Sequence, residues 1–249
     1  MGCFKSDIQR LSKSYTWYIG ILGVALALLF SLEGRGFENG SVVFTYVFAT
    51  NLSGVLIAYV FCALPFATVF SEDLEHKYIH YEVIRGNLKK YVFSKCAVIY
   101  LSSIITMLLG TFIFLVFCRA QIPWVNWERA DLSTERAGCY GSLVEGGHYL
   151  SYCMLYALNL GMLSGVLSLM AAFGSIYISS RVLVLVLPVL LHKILATVNI
   201  NGYNLTNVFF AYIKVFERDW ANFLFLFSLS VILSGIMTVG IYKKLKQRI

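Results

Sequence analysis

Residues 70–95 read FSEDLEHKYIHYEVIRGNLKKYVFSK, and they form the one long, charge-dense segment of a very apolar chain. An ionised side chain costs several kcal/mol at the centre of a bilayer, so this stretch belongs in water or at a lipid surface. The sequence on either side consists mainly of Leu, Val, Ile, Phe, Ala, Tyr, Ser and Gly. This contrast predicts membrane-embedded segments on both sides of a polar connection.

The overall composition also indicates an integral membrane protein. Of the 249 residues, 59% are hydrophobic and 13% are charged, and the mean hydropathy is +0.74. A soluble domain carries about 25% charged residues. Six cysteines occur without a CxxC pair, so they are interpreted as unpaired packing residues rather than as a zinc site or a disulfide framework.

The apolar runs predict an all-α integral membrane protein with a single transmembrane domain, residues 1–249. A helix needs about 20 apolar residues to cross a bilayer. Six spans are predicted, at residues 17–32, 43–70, 91–118, 148–178, 182–198 and 220–242. Residues 1–16 are predicted to form an amphipathic helix on the lipid surface, because Phe4, Ile8 and Leu11 recur at helical spacing among basic residues.

The distribution of charge predicts that both termini are cytoplasmic, with residues 71–90 as a cytoplasmic segment between spans 2 and 3. Lys and Arg accumulate on the cytoplasmic side of membrane proteins. In this orientation 13 of the 20 basic residues lie inside: Lys5, Arg10, Lys13, Lys77, Arg85, Lys89, Lys90, Lys95, Arg181, Lys243, Lys244, Lys246 and Arg248. The net charge of +7 is therefore explained by topology, and nucleic acid is not an expected partner.

Motifs for nucleotide or metal chemistry are missing from the sequence. It contains neither a GxxxxGK[ST] phosphate loop nor an HExxH motif, so no cofactor is expected in this chain. His76 and His80 are four residues apart and could share a helix face as metal ligands. Since the spacing suggests no third ligand, a solvated helix face is the simpler interpretation.

Several polar residues fall inside or at the ends of the predicted spans. They are Asn51, Ser53, Asn159, Ser164 and Lys193. Small and neutral polar residues in membrane helices most often serve helix packing. The alternative is that these residues line a weakly polar translocation path. Lys193 either extends outward to the interface or lines an outer vestibule.

The charged stretch resembles a segment of ABC-2 type permeases. That family has an "IRG…R..Y…SK" pattern after a Glu-containing helix that follows the second span. The matching residues here are Glu72 and Glu75, then Ile84-Arg85-Gly86, Lys89-Lys90-Tyr91 and Ser94-Lys95. The six-span layout and the basic N-terminal helix are also similar. This chain differs from many members in having His76-Lys77-Tyr78 after the Glu, where they have a Gly-Thr pair.

The resemblance implies a subunit of a bacterial exporter in the cell membrane, which pairs with a second permease and with two copies of a cytoplasmic ATPase subunit. ATP and Mg²⁺ would then be held by the ATPase. The helix after span 2 would couple the ATPase to the spans. The implied coupling residues are Glu72, Glu75, His76, Lys77, Tyr78, Glu82, Arg85, Gly86 and Lys95. Short re-entrant helices would lie between spans 5 and 6, with Phe209, Phe210, Tyr212 and Phe216 facing lipid or closing the path.

Three functional hypotheses follow from the sequence. The first is export of an amphipathic or hydrophobic cargo, such as a toxic or antimicrobial peptide, because the apolar interior offers no fixed charge for ions or sugars. The second is a membrane-embedded sensor or scaffold that binds a cytoplasmic partner without transport. A membrane enzyme is the third, and the sequence shows no catalytic constellation for it.

Overall fold

A computed structural model describes residues 2–32, 40–75, 87–126, 132–178, 180–200, 203–211 and 213–248. These residues are mainly helical. The helices are α1 (Gly2–Ser12), α2 (Tyr15–Ser31), α3 (Val42–Asn51), α4 (Gly54–Ala63), α5 (Val69–Glu75), α6 (Leu88–Gln121), α7 (Ser133–Ala137), α8 (Gly141–Glu145), α9 (Tyr149–Gly174), α10 (Arg181–Thr197) and α11 (Asp219–Arg248). The prediction of a helical fold is confirmed.

Three of the described helices, α6, α9 and α11, are long and apolar enough to cross a membrane. The bent pair of α3 and α4 would make a fourth if it counts as one span, and α2 is apolar but shorter. The structure therefore supports a helical membrane protein. The count of six spans stays a prediction, although helices α2 and α10 occupy the first and fifth predicted positions.

The second predicted span, residues 43–70, is wrong as a continuous helix. Helices α3 and α4 meet at a bend of 77°, because Leu52 has an extended backbone with φ −88° and ψ −178°. The side chain of Asn51 returns to the carbonyl of Val47 at 3.1 Å. Beyond the break, Gly54 packs so closely on α2 that a Cβ would lie 2.6 Å from the side chain of Ser31. A turn over residues 64–68 then precedes α5.

The segment between α10 and α11 also differs from the prediction. Its described part contains a strand pair, Asn199–Ile200 with Tyr203–Asn204, and one 3₁₀ turn, Asn207–Phe209. These elements replace the expected re-entrant helices. Phe209 and Phe210 are buried in the main hydrophobic core, so they do not face lipid, and the alternative that they close the path stays a prediction. Phe216 is exposed, and Tyr212 lies outside the described residues. Apolar burial of two aromatic rings stabilises this non-helical segment.

Helices α6 and α9 form the centre of the bundle, and α2 packs against α4 and α6. Glycines allow these close approaches. A Cβ on Gly110 would lie 2.6 Å from the side chain of Val24, and one on Gly165 would lie 2.6 Å from the ring of Tyr100. Small residues at helix crossings permit the dense packing that drives association of helices in lipid.

Both ends of the chain lie at one end of this bundle, which we call the basal end. Its hydrophobic cluster includes Leu11 of α1, Phe70 of α5, Tyr91 of α6, Ile176 after α9 and Leu245 of α11. At the opposite end, residues 132–147 pack on residues 203–211 and 213–219 to form a lid that we call the cap. Cys139 donates its N–H to the carbonyl of Ala211 there, for example.

Candidate functional site

The structure describes three of the nine predicted coupling residues. Glu72 and Glu75 lie on α5, and Lys95 lies on α6. The remaining predicted coupling residues lie outside the described residues: His76, Lys77, Tyr78, Glu82, Arg85 and Gly86. His80, the other half of the possible metal pair, also lies there. The described parts therefore show how this segment begins and ends.

Lys95 is the central residue of the basal end, and it is buried, with 3% of its surface exposed. Its ammonium lies 3.0 Å from Asp7 on α1 and 3.7 Å from Asp73 on α5. Tyr91, one turn earlier on α6, donates its hydroxyl to Asp73. We call these four residues the Lys95 cluster. It ties the N-terminal helix and the start of the charged stretch to a central helix of the bundle.

Because the Lys95 cluster is buried, its charged groups must be closely paired and hydrogen-bonded. Removing charged groups from water costs several kcal/mol per ion, and only close pairing and hydrogen bonds compensate for it. The side chains of Asp7 and Asp73 are at most 10% exposed. A fourth contact, from the hydroxyl of Ser94 to Asp7 at 3.5 Å, adds to the pairing. Lys95, one of the implied coupling residues, is therefore placed to link helices within the chain rather than to contact a partner protein directly.

The local sequence explains why these groups meet. Asn87 caps α6 by accepting the N–H of Lys89 at 2.9 Å, which satisfies a donor that the first helical turn leaves free. Tyr91 and Lys95 are four residues apart and so share one face of α6. Lys89 and Lys90, on the other side, are exposed. The apolar side chains of Phe70 and Val92 belong with Tyr91 to the hydrophobic cluster of the basal end, and they exclude water from the ion pairs.

The acidic residues of α5 divide between an inner and an outer side. Asp73 is buried, whereas Glu75 is exposed. Glu72 lies between these extremes: it accepts the hydroxyl of Thr68 at 3.0 Å and lies 3.6 Å from Arg181 at the start of α10. Of the described coupling residues, Glu75 is thus the one most available to a partner protein.

The five predicted path residues do not come together in the described structure. Asn159 and Ser164 are buried in α9, whereas Asn51, Ser53 and Lys193 are exposed. Ser164 donates its hydroxyl to the carbonyl of Gly161 at 2.9 Å, which is an ordinary helix contact. Asn159 accepts a hydrogen bond from Tyr140 of the cap at 3.1 Å. These contacts do not outline a passage through one chain.

The core contains polar contacts that the sequence did not reveal. The hydroxyls of Thr50 and Tyr156 lie 3.0 Å apart, and Ser103 donates to Ser168 at 2.9 Å. The ring of His192 lies 5.3 Å from the ring of Tyr59. A helical periodicity of hydroxyl-bearing residues could have signalled these pairs, since α6 and α9 carry Ser, Thr and Tyr on their buried faces. They hold helices together in an apolar setting.

The cap closes the other end of the bundle. Tyr140 adopts φ 64°, an unusual backbone conformation for a bulky residue, and its N–H bonds to Asp219 at 3.1 Å. Asp219 also accepts the hydroxyl of Ser142 at 2.6 Å and lies 3.9 Å from Lys214. Burial raises the pKa of the Tyr140 phenol to about 12 and that of the Cys139 thiol to about 11. Both groups are therefore uncharged at neutral pH.

The described cysteines are unpaired, as predicted. Cys62, Cys96, Cys118, Cys139 and Cys153 are all buried and free. Among the described residues, no group of three His, Cys, Asp or Glu side chains could hold a metal ion. The described thiols therefore act as small packing groups.

Comparison of the chain with protein-family models, curated proteins and solved structures finds no match. The Lys95 cluster and the charged stretch that it anchors are the features of this chain that bear most directly on its function.

Proposed function

We propose that this chain is the transmembrane subunit of an ATP-binding cassette exporter of the ABC-2 type, in a bacterial cell membrane with both termini in the cytoplasm. Two copies of a separate ATPase subunit, which hold ATP and Mg²⁺, would power it, together with a second copy of this chain or a related permease. The cargo is an amphipathic or hydrophobic molecule, such as a toxic or antimicrobial peptide.

The observation that carries this proposal is the attachment of the charged stretch to the bundle. Residues 76–86 connect α5 to α6, and the Lys95 cluster links α5, α6 and α1 by buried ion pairs. A force applied to the charged stretch is therefore passed to α6 and α1 together. An ATPase that binds residues 70–95 could use this linkage to move the spans.

The basal end has the charge that such a partner would need. Glu75, Lys89 and Lys90 are exposed at the two ends of the charged stretch, and α11 ends nearby in a basic tail, with Arg248 donating to the carbonyl of Ile176. Exposed charges of both signs favour specific docking of a partner over nonspecific adhesion. Basic residues at this end also fit the cytoplasmic orientation.

The cargo would pass between two chains in this proposal. Within one chain, the rings of Tyr46 and Tyr156 pack 5.4 Å apart, and the ring of Phe210, which belongs to the cap, lies 6.5 Å from the ring of Tyr156. Close packing of this kind leaves no room for a peptide in the described core. A pathway at the interface of two permeases avoids that obstacle.

The test is to separate ATP hydrolysis from transport. The chain is co-expressed with the ATPase subunit that purifies with it, and Glu75→Ala and Arg85→Ala are assayed in proteoliposomes. Each variant should reduce cargo transport about tenfold or more while basal ATP hydrolysis continues, because removal of a partner contact costs about 1–3 kcal/mol. The matched control is Glu145→Ala, an exposed acidic residue in the cap, which should transport normally.

Two results would count against the proposal, the first against the coupling role of residues 70–95 and the second against export itself. Normal transport by both variants would show that residues 70–95 do not couple the ATPase to the spans. Purification without an ATPase subunit, but with a kinase or another regulator, would favour the alternative of a membrane-embedded sensor or scaffold. The close packing of the described core favours this alternative, because it leaves no room for a cargo within one chain.

A further inference from the structure

A cleft of about 490 Å³ opens beside the basal end, between α1, the start of α2, the turn that precedes α5 and the start of α10. Two arginines, Arg10 and Arg181, are among the residues that line it. Its apolar lining is formed by Ile19, Leu64, Pro65, Phe66, Val69 and Leu185. The cleft thus presents cationic and hydrocarbon surfaces to the same occupant.

The arginines are placed to bind an anion. Both are exposed, and Arg181 keeps 68% of its side-chain surface open while it contacts Glu72 at 3.6 Å. The hydroxyls of Ser14 and Thr16, which lie 2.6 Å apart, line the same cleft. A guanidinium binds phosphate with two parallel hydrogen bonds, and hydroxyls can donate to the remaining oxygens.

The apolar walls lie one helical turn from the polar groups. Ile19 follows Thr16 by three residues on α2, and Leu185 follows Arg181 by four residues on α10, so each pair shares a helix face. In a membrane protein, this order of cationic group and then apolar wall matches a lipid, whose phosphate lies at the interface and whose acyl chains lie deeper. A soluble phosphate would gain nothing from the apolar walls.

We propose that this cleft binds the headgroup and upper acyl chains of one anionic phospholipid, with Arg10 and Arg181 on the phosphate. The lipid would bridge α1, the turn before α5 and α10, which are the elements around the charged stretch. This inference does not depend on the export function, since a sensor or scaffold in the same membrane would meet the same lipid.

Substitution of Glu72 provides a control in which lipid binding should become tighter instead of weaker. Its carboxylate contacts Arg181 and repels a phosphate, so it competes with the lipid for the guanidinium. Replacement by the neutral Gln removes this competitor and keeps a side chain of the same shape. A lipid site at this cleft therefore predicts tighter binding for Glu72→Gln and weaker binding for substitutions of either arginine.

The experiment uses the full-length chain, delipidated in a mild detergent, with native mass spectrometry as the readout. Dioleoyl phosphatidylglycerol and dioleoyl phosphatidylcholine are added in equal amounts. We expect retention of one phosphatidylglycerol per chain, about a tenfold lower retention for Arg10→Gln and for Arg181→Gln, and a several-fold higher retention for Glu72→Gln. Lys13→Gln, exposed on the surface near α1 but not part of the cleft, should match the wild type.

Three outcomes would overturn the proposal. Equal retention of the two lipids would show that the cleft does not select an anionic headgroup. Equal retention by the Arg10, Arg181 and Lys13 variants would place the lipid elsewhere. Displacement of phosphatidylglycerol by millimolar inorganic phosphate would mean that the arginines serve a soluble anion. Circular dichroism and gel filtration of each variant check that the fold is intact.

Discussion

The ammonium of Lys95 lies 3.0 Å from the carboxylate of Asp7, and this buried ion pair joins the first helix of the chain to its longest one. Asp73 approaches the same ammonium from a third helix. One cation thus pairs with two buried carboxylates. The stability of the basal end depends on Lys95 more than on any exposed lysine of α6.

Replacement of Lys95 should therefore be severe. Lys95→Met leaves two buried carboxylates without a cation, and loss of one partner of a buried ion pair costs about 3–5 kcal/mol. Unfolding in a denaturing detergent should show a loss of this size in the free energy of unfolding. Lys90→Met, an exposed position on the same helix, is the control and should change it by less than about 0.5 kcal/mol.

A second substitution tests whether the loss comes from unpaired charge. Asp73→Asn in the Lys95→Met background removes one of the two orphaned carboxylates, so it should restore part of the lost stability. If the double variant is less stable than Lys95→Met, the cluster is not held together by charge pairing, and packing of the lysine stem would be the cause.

The cap should lose stability when the link between Tyr140 and Asn159 is removed. Tyr140→Phe deletes the hydroxyl that donates to Asn159 at 3.1 Å and leaves a buried amide oxygen without this donor. The expected cost is about 1–3 kcal/mol, measured as the free energy of unfolding in detergent. Tyr149→Phe, at a half-buried position at the start of α9, serves for comparison. Equal effects of the two variants would argue against a specific role for the bond.

Two glycines should respond in opposite directions to the same substitution. A Cβ at Gly110 would lie 2.6 Å from Val24 and 2.9 Å from the carbonyl of Ile21, whereas one at Gly235 would meet nothing within 4 Å. Gly110→Ala should lower the melting temperature, since overpacking costs about 1–3 kcal/mol. Gly235→Ala should raise it, because Ala gains about 0.5–1 kcal/mol over Gly in a helix. A stabilised Gly110→Ala would show that α2 and α6 are not in close contact.

Sidedness can be tested with introduced cysteines. Five of the six native cysteines, Cys62, Cys96, Cys118, Cys139 and Cys153, are buried, and with the sixth replaced in a Cys3→Ser background the labelling of the folded protein should be low. An impermeant maleimide should label Glu145→Cys in intact cells and Lys90→Cys only after permeabilisation, because Glu145 and Lys90 lie at opposite ends of the bundle. Labelling of Lys90→Cys from outside would reverse the proposed orientation.

The sequence predicted those features that depend on composition and periodicity. Apolar runs located α6, α9 and α11 to within a few residues, because a long helix in lipid requires an unbroken apolar stretch. They failed at Leu52, where the backbone turns within the short polar sequence TNLSG of residues 50–54, because hydropathy averaged over a whole span hides so short an interruption. Hydropathy measures transfer to lipid and carries no information on the φ and ψ angles of a single residue.

The candidate site was only partly predictable, for a related reason. Lys95 was singled out from its place in a motif, but its partners Asp7 and Asp73 lie on other helices, and tertiary packing alone brings them together. The resemblance groups Lys95 with the implied coupling residues and gives no sign of this pairing. Arg10 and Arg181 were likewise counted as separate cytoplasmic charges, whereas the structure places both in one cleft.

The unbroken length of α6 has a mechanical consequence. Its 34 residues extend about 50 Å at 1.5 Å per residue, and the hydrocarbon layer is only about 30 Å thick. If α6 crosses the bilayer upright, about 20 Å of it extends beyond the hydrocarbon layer. A tilt imposed at Lys89 must reappear at Arg119, so the two ends of this helix move as one lever.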